Sequence, residues 1–153
     1  MAIARRYFER HAIAEALGTQ LNATGWAIGQ VREGFQFEDS IAPPMAAVHF
    51  LPSTYLELQL GRKTQTEKSF VRRVQVDCYM ETESRADTIA DEVADFFDEF
   101  FINIKNPAGD SLGNLYCADS ETITLDVIPP IFKEAKVKRW RAVVQATLQA
   151  DYF

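Results

Sequence analysis

The run KRWRAVVQATLQADY, Lys138 to Tyr152, alternates apolar and polar residues almost without a break. Trp140, Ala142, Val144, Ala146, Leu148, Ala150 and Tyr152 fall on one side; Arg139, Arg141, Gln145, Thr147, Gln149 and Asp151 fall on the other. A period of two is the signature of a strand with one face in the core. At ~3.3 Å per residue this strand reaches about 50 Å, against the usual 17–20 Å. A strand of that reach needs partners along its length, so a sheet dominates the fold.

The same alternation recurs earlier. Ala46 to Leu60 reads as extended and interrupted at Pro52; in its second half, TYLELQL, Leu56, Leu58 and Leu60 oppose Tyr55, Glu57 and Gln59. Val74, Val76, Cys78 and Met80 alternate with Arg73, Gln75, Asp77 and Tyr79, which predicts an antiparallel hairpin between the two runs. Its tip, GRKTQTEKS from Gly61 to Ser69, contains no apolar residue. Two residues suffice to turn a hairpin, so a nine-residue polar tip projecting at 61–69 is expected to serve a partner.

Two helices complete the elements. At 100° per residue Ile3, Tyr7, Ala14, Leu17 and Leu21 share a stripe, which predicts a helix over residues 4–22. A second helix is expected over 84–101, capped by Ser84 with Asp87 in its first turn. Ile89, Ala90, Val93, Phe96, Phe97, Phe100 and Phe101 occupy its apolar half, a stripe wide enough to lie across a sheet. Trp26, Ile28 and Val31 suggest a short strand, Arg32 to Pro44 and Asn103 to Leu115 read as irregular, and Thr122 to Val127 reads as a strand closed by Pro129-Pro130. The expected fold is α+β: a mainly antiparallel sheet of about four strands with two helices packed on one face. With 153 residues, 1–153 is one domain.

Chemistry-bearing motifs are scarce. There is no Gly-rich phosphate loop and no Gly-x-Ser-x-Gly elbow, and His11 and His49 lie in different elements, so no enzyme and no cofactor is expected. Asp91, Asp95 and Asp98, with Glu99, form an acidic helix face; a convex surface lacks the converging oxygens a hard cation wants, so no metal is expected there. That face is either simply solvated, or an acidic pore wall or partner surface. Cys78 and Cys117 are too few and too far apart for a disulfide framework or a redox pair. No run approaches the ~18 apolar residues of a spanning helix, and no export signal opens the chain, so a protein made in the cytoplasm, away from membranes, is expected.

A formal charge of −6 repels phosphate, which argues against tight nucleic-acid binding but suits a lumen through which DNA slides without sticking. Basic residues cluster at Arg62, Lys63, Lys68, Arg72 and Arg73 around the hairpin tip, and again from Lys133 to Arg141, where Arg139 and Arg141 enter the last strand. Lysines beside exposed strands also discourage edge-to-edge aggregation. Alternatively, a basic arm can dock on the acidic helix face of the next copy, the kind of heterologous contact that closes a ring.

In the order helix ending near LNATGW, hairpin LELQLGRKTQTEKSFVRRVQVDCYM, helix SRADTIADEVADFFDEFF and a closing hairpin that ends RWRAVVQATLQADYF, the chain resembles the tail terminator (tail completion, or minor tail) proteins of long-tailed bacteriophages. The resemblance is architectural and covers most of the chain; the Arg32–Pro44 segment departs from it. It implies a virion structural protein: a hexameric ring in the tail–neck region that caps the tail tube, stops its polymerisation and presents a surface to the head connector, with DNA passing through the lumen. Other classes stay open: a head-completion or connector (neck) ring protein, a small ligand-binding α+β domain, and a toxin-, pilus- or secretion-related tube component.

Overall fold

The computed structural model describes residues 4–34, 42–51, 68–117, 119–130 and 139–153. Their order is α1 (Arg5–Ala23), β1 (Arg32–Glu33), β2 (Met45–Phe50), β3 (Lys68–Met80), α2 (Glu83–Asp98), β4 (Phe101–Lys105), β5 (Ser111–Tyr116), β6 (Thr124–Ile128) and β7 (Trp140–Tyr152). The expectation of about four antiparallel strands is overturned: the described residues form a seven-stranded sheet in the order β1-β2-β3-β7-β5-β4, with β6 also on β7. The sheet is mixed, because β1 runs parallel to β2.

β7 organises the sheet. Along one edge it pairs with β3 from Lys68↔Tyr152 to Met80↔Trp140. Along the other, β6 takes its first half and β5 its last residues, end to end. Thr122, in a short 3₁₀ turn, fills the gap by accepting from the Thr147 amide at 3.3 Å. α1 packs on β1 and β2 near one end of the strand order and on β4 at the other, so the sheet curls around it into a half-barrel. α2 covers the middle, over β3, β7 and β6.

The inner face carries one apolar cluster built from Ile13, Leu17 and Leu21 of α1, Ile89, Val93 and Phe97 of α2, and the alternating Val74, Val76, Cys78, Ala142, Val144 and Leu148. The predicted strand faces of β3 and β7 hold throughout this stretch. Three boundaries differ from expectation. Thr82 caps α2 by accepting from the Arg85 amide at 3.2 Å, two residues before the cap expected at Ser84. α2 stops at Asp98, and Phe101 opens β4 instead of closing the helix, because Ile102 and Ile104 alternate with Asn103 and Lys105 and match the sheet. The expected loop at Asn103–Leu115 is a hairpin: the Gly109 amide donates to the Asn106 carbonyl at 2.9 Å, so Pro107 and Gly109 mark a tight turn between two strands.

The partner of Val74–Tyr79 is Met45–Phe50, with β7 on its other edge. The antiparallel pairing expected between the run from Ala46 and Val74–Met80 is thus present over its first half, and the second half, TYLELQL, lies outside the described residues. The segment 52–67, with most of the expected tip at 61–69, lies outside the described residues. The short strand expected around Trp26–Val31 is absent there; the pairing falls at Arg32–Glu33. Tyr7 is half exposed, and Ile13 and Glu9 take the buried stripe of α1 with Ala14, Leu17 and Leu21.

Candidate functional site

Because side chains alternate, every second residue of the long strands faces away from the helices. The registers place these residues in rows across the outer face. His49, Gln75, Gln145 and Thr124 form one row; Ala47, Asp77, Val143 and Asp126 the next. Toward the other end lies the row Val71, Gln149, Tyr116 and Phe101.

Asp77 is the centre of a polar ladder. Its carboxylate is only 4% exposed and receives Arg141 through Nε at 3.0 Å and Nη2 at 2.9 Å. Gln75 Nε2 donates to both Asp77 oxygens, and Gln145 Nε2 donates to Gln75 Oε1 at 2.8 Å. His49 Nδ1 stands 3.6 Å from Asp77 Oδ2. Burial depresses the His49 imidazole below its usual value, assisted by the Arg141 charge and opposed by Asp77. The Asp77 carboxylate and the Arg141 guanidinium neutralise each other, and with Gln75 and Gln145 they fix the side-chain geometry of the sheet centre.

A second cluster occupies the β3–β7–β5–β4 corner. Tyr116 Oη donates to Asp151 Oδ2 at 2.7 Å and Gln149 Nε2 donates to Oδ1 at 2.9 Å. Burial pushes the Asp151 carboxyl up, but hydrogen bonds from Ser69, Tyr116 and Gln149 outweigh it and hold the group below the usual value. Beside Tyr116 the ring of Phe101 is stacked at 5.9 Å, with an interplanar angle of 23°. Phe101 is 66% exposed, the most exposed large apolar side chain among the described residues. The corner thus sets an accessible aromatic ring beside polar groups that hydrogen-bond one another, six residues along β7 from the Asp77 row.

The sequence-predicted residues divide. Arg62 and Lys63 lie outside the described residues, and Lys68 is placed by its backbone opposite Tyr152. Arg73 is exposed on the outer face opposite Thr147, on the same face as Arg141. Arg139 precedes β7 and is half-buried. Asp91, Asp95, Asp98 and Glu99 are all exposed, on α2 and at its C-terminal end, across the molecule from the outer face. Arg72 departs from the expected interface set, because it points into the core.

Inside, Arg72 Nε lies 2.6 Å from Glu9 Oε1, and Tyr152 Oη donates to the same carboxylate. The Arg5 guanidinium stands over the rings of Phe70 at 5.2 Å and Tyr152 at 5.3 Å. Burial, then the Glu9 charge, pushes the Tyr152 phenol well above its usual value. This cluster fastens the first turns of α1 to the ends of β3 and β7. Sequence reasoning missed it, although the signal existed: Arg72 shares parity with Val74, Val76 and Cys78, and a charge on the core face requires a buried partner.

No three His, Cys, Asp or Glu side chains converge as a metal group among the described residues. No described helix is long and apolar enough to cross a membrane. Compared with known proteins, the chain matches no family model and no curated sequence.

Proposed function

We propose that this chain is a structural subunit of a phage tail, assembling into a ring that caps the tail tube, ends its growth and meets the head connector. The observation that carries this reading is the pairing of β3 and β7 over thirteen residues each, which gives a small protein a sheet about 40 Å long. The outer face of that sheet bears the Asp77–Arg141 ladder and the exposed Phe101–Tyr116 pair. An exposed aromatic ring beside hydrogen-bonded polar groups is the composition of protein–protein contacts.

The basic stretch Arg62, Lys63 and Lys68 opposes in sign the exposed Asp91, Asp95, Asp98 and Glu99. Each copy thus both donates and receives, the heterologous relation from which rings close. An acidic surface turned to the lumen lets DNA pass without adhering. The work is recognition, with no bond made or broken.

The test is to mix the protein with its cognate tube protein, and to follow mass photometry and negative-stain images. Multi-subunit particles, end-capped tubes and a shortened tube-length distribution are the expected result. A protein that stays monomeric and leaves tube lengths unchanged overturns the proposal.

A further inference from the structure

The segment from Gly29 to Gly34 crosses between α1 and β2 with a hollow on either side. One, of about 180 Å³, is lined by His11, Glu15 and Gly18 of α1 facing Gln30, Val31 and Glu33. The other, of about 590 Å³, separates the same segment from Ala42, Pro44 and Met45. With space on both sides, Gly29, Gln30 and Arg32 are exposed and Val31 alone in the segment is buried in the core, so a local opening has one apolar side chain to withdraw.

Its fastenings among the described residues are specific. Gly29 is tied to the Asn22 side chain, whose Nδ2 donates to the Gly29 carbonyl at 2.6 Å. Gly34 donates to the Val48 carbonyl at 2.8 Å, and Val31 is buried beside Gly18. Both ends have left-handed backbones, φ 69° at Gly29 and φ 90° at Gly34, where glycine moves without steric cost. Between them the link to α1 is ionic: His11 Nδ1 lies 3.1 Å from Glu33 Oε2, and Arg10 Nε lies 3.7 Å from Glu33 Oε1.

We propose that residues 29–34 form a strap over α1 whose closure is set by the charge on His11. Protonated, the imidazole sits between two carboxylates, Glu33 of the strap and Glu15 one turn along α1 at 3.3 Å. Tyr7 stacks on its ring at 6.2 Å, and Arg10 shares Glu33. Arg32, the other charged residue of β1, shares the opposite sheet face with Ala47. Neutral, the ring keeps at most a hydrogen bond to Glu33 and loses its attraction to both carboxylates, so the hold of α1 on the strap through Glu33 is weaker by that charge.

The Glu33 hydrogen bond raises the His11 imidazole above its ordinary value, against the opposing effect of burial, and the Glu33 and Glu15 charges add to it. The sign follows: closure is strongest below the unfolded imidazole value and weakens as pH rises through the raised one. Opening exposes Val31 and the Gly18 position of α1 that it covers, so the device links pH to the presentation of an apolar seam.

Hydrogen exchange of the intact protein decides it. After correction for intrinsic rates, amides of 30–34 are expected to exchange about two- to fivefold faster near pH 8.5 than near pH 5.5, the effect an exposed ion pair supports. Amides of α2 should show no such change. His11→Gln should give the fast strap exchange at both pH values. Equal strap protection at both pH values in the wild type overturns the proposal, as does a His11→Gln protein that retains the pH dependence. Should the variant not fold, the wild-type comparison of strap and α2 amides stands alone as the decision.

Discussion

Arg72 and Glu9 form an ion pair inside the core, with side chains 6% and 0% exposed and Nε 2.6 Å from Oε1. Removing one partner leaves the other charge buried and alone, which costs about 3–5 kcal/mol. Glu9→Gln and Arg72→Met are each expected to lower the unfolding free energy by that order in urea titrations. Glu9→Leu with Arg72→Met together should cost less than either alone, because no orphaned charge remains. A single-variant loss under about 1 kcal/mol would show that water reaches the pair.

Gly113 of β5 lies opposite Tyr152, where a methyl group would overlap the Asp151 carbonyl oxygen and stand 2.9 Å from the Tyr152 Cα. Backbone cannot yield as a side-chain tip does, so Gly113→Ala should force β5 away from β7. The expected cost is about 1–3 kcal/mol, the range for overpacking. Amide exchange should rise in 111–116 and 149–153 before it rises in α2. An unchanged melting temperature would contradict the close approach.

How much of this was legible follows from range of interaction. β7 and the buried stripe of α2 are long periodic segments, so local pattern fixes them. The same alternation places Arg73 and Arg141 on the outer face. β4 and β5 are hidden in the sequence because Pro107, Gly109 and Gly113 read alike as loop residues, whereas Asn106 to Gly109 is one hairpin turn and Gly113 lies inside β5. β1 is two residues long and exists only through its parallel contact with β2, a tertiary decision no local pattern records. The Asp77–His49–Arg141 cluster joins three strands, and its members are adjacent only once the registers are known.

Phe101 separates folding from association. Its ring is mostly exposed and touches Tyr116 across the β4–β5 pair, so Phe101→Ser should cost under about 1 kcal/mol of stability, the scale of a cross-strand pair. On the proposed ring it removes an anchor, for which losses of 2 kcal/mol or more, roughly thirtyfold in association, are typical. Sedimentation with tube protein, beside a melting curve, distinguishes the two. Full assembly by a normally folded Phe101→Ser protein would place the contact elsewhere.

Tyr116 ties the outer face to alkaline pH. Burial, and then the hydrogen bond to Asp151, push its phenol up to about 12 from an ordinary value of 10.0. The folded state therefore holds the proton after the unfolded chain has lost it. The stabilisation is whole below about pH 10 and is lost between there and about pH 12. Tyr116→Phe should flatten that part of the pH–stability curve and delete a late step from the phenolate absorbance titration. The same substitution takes a donor from Asp151, so the carboxyl, observed by carbon NMR, should titrate at higher pH than in the wild type. If the Tyr116 phenolate instead appears with the ordinary tyrosines, its hydroxyl is free in water and the corner cluster does not exist in solution.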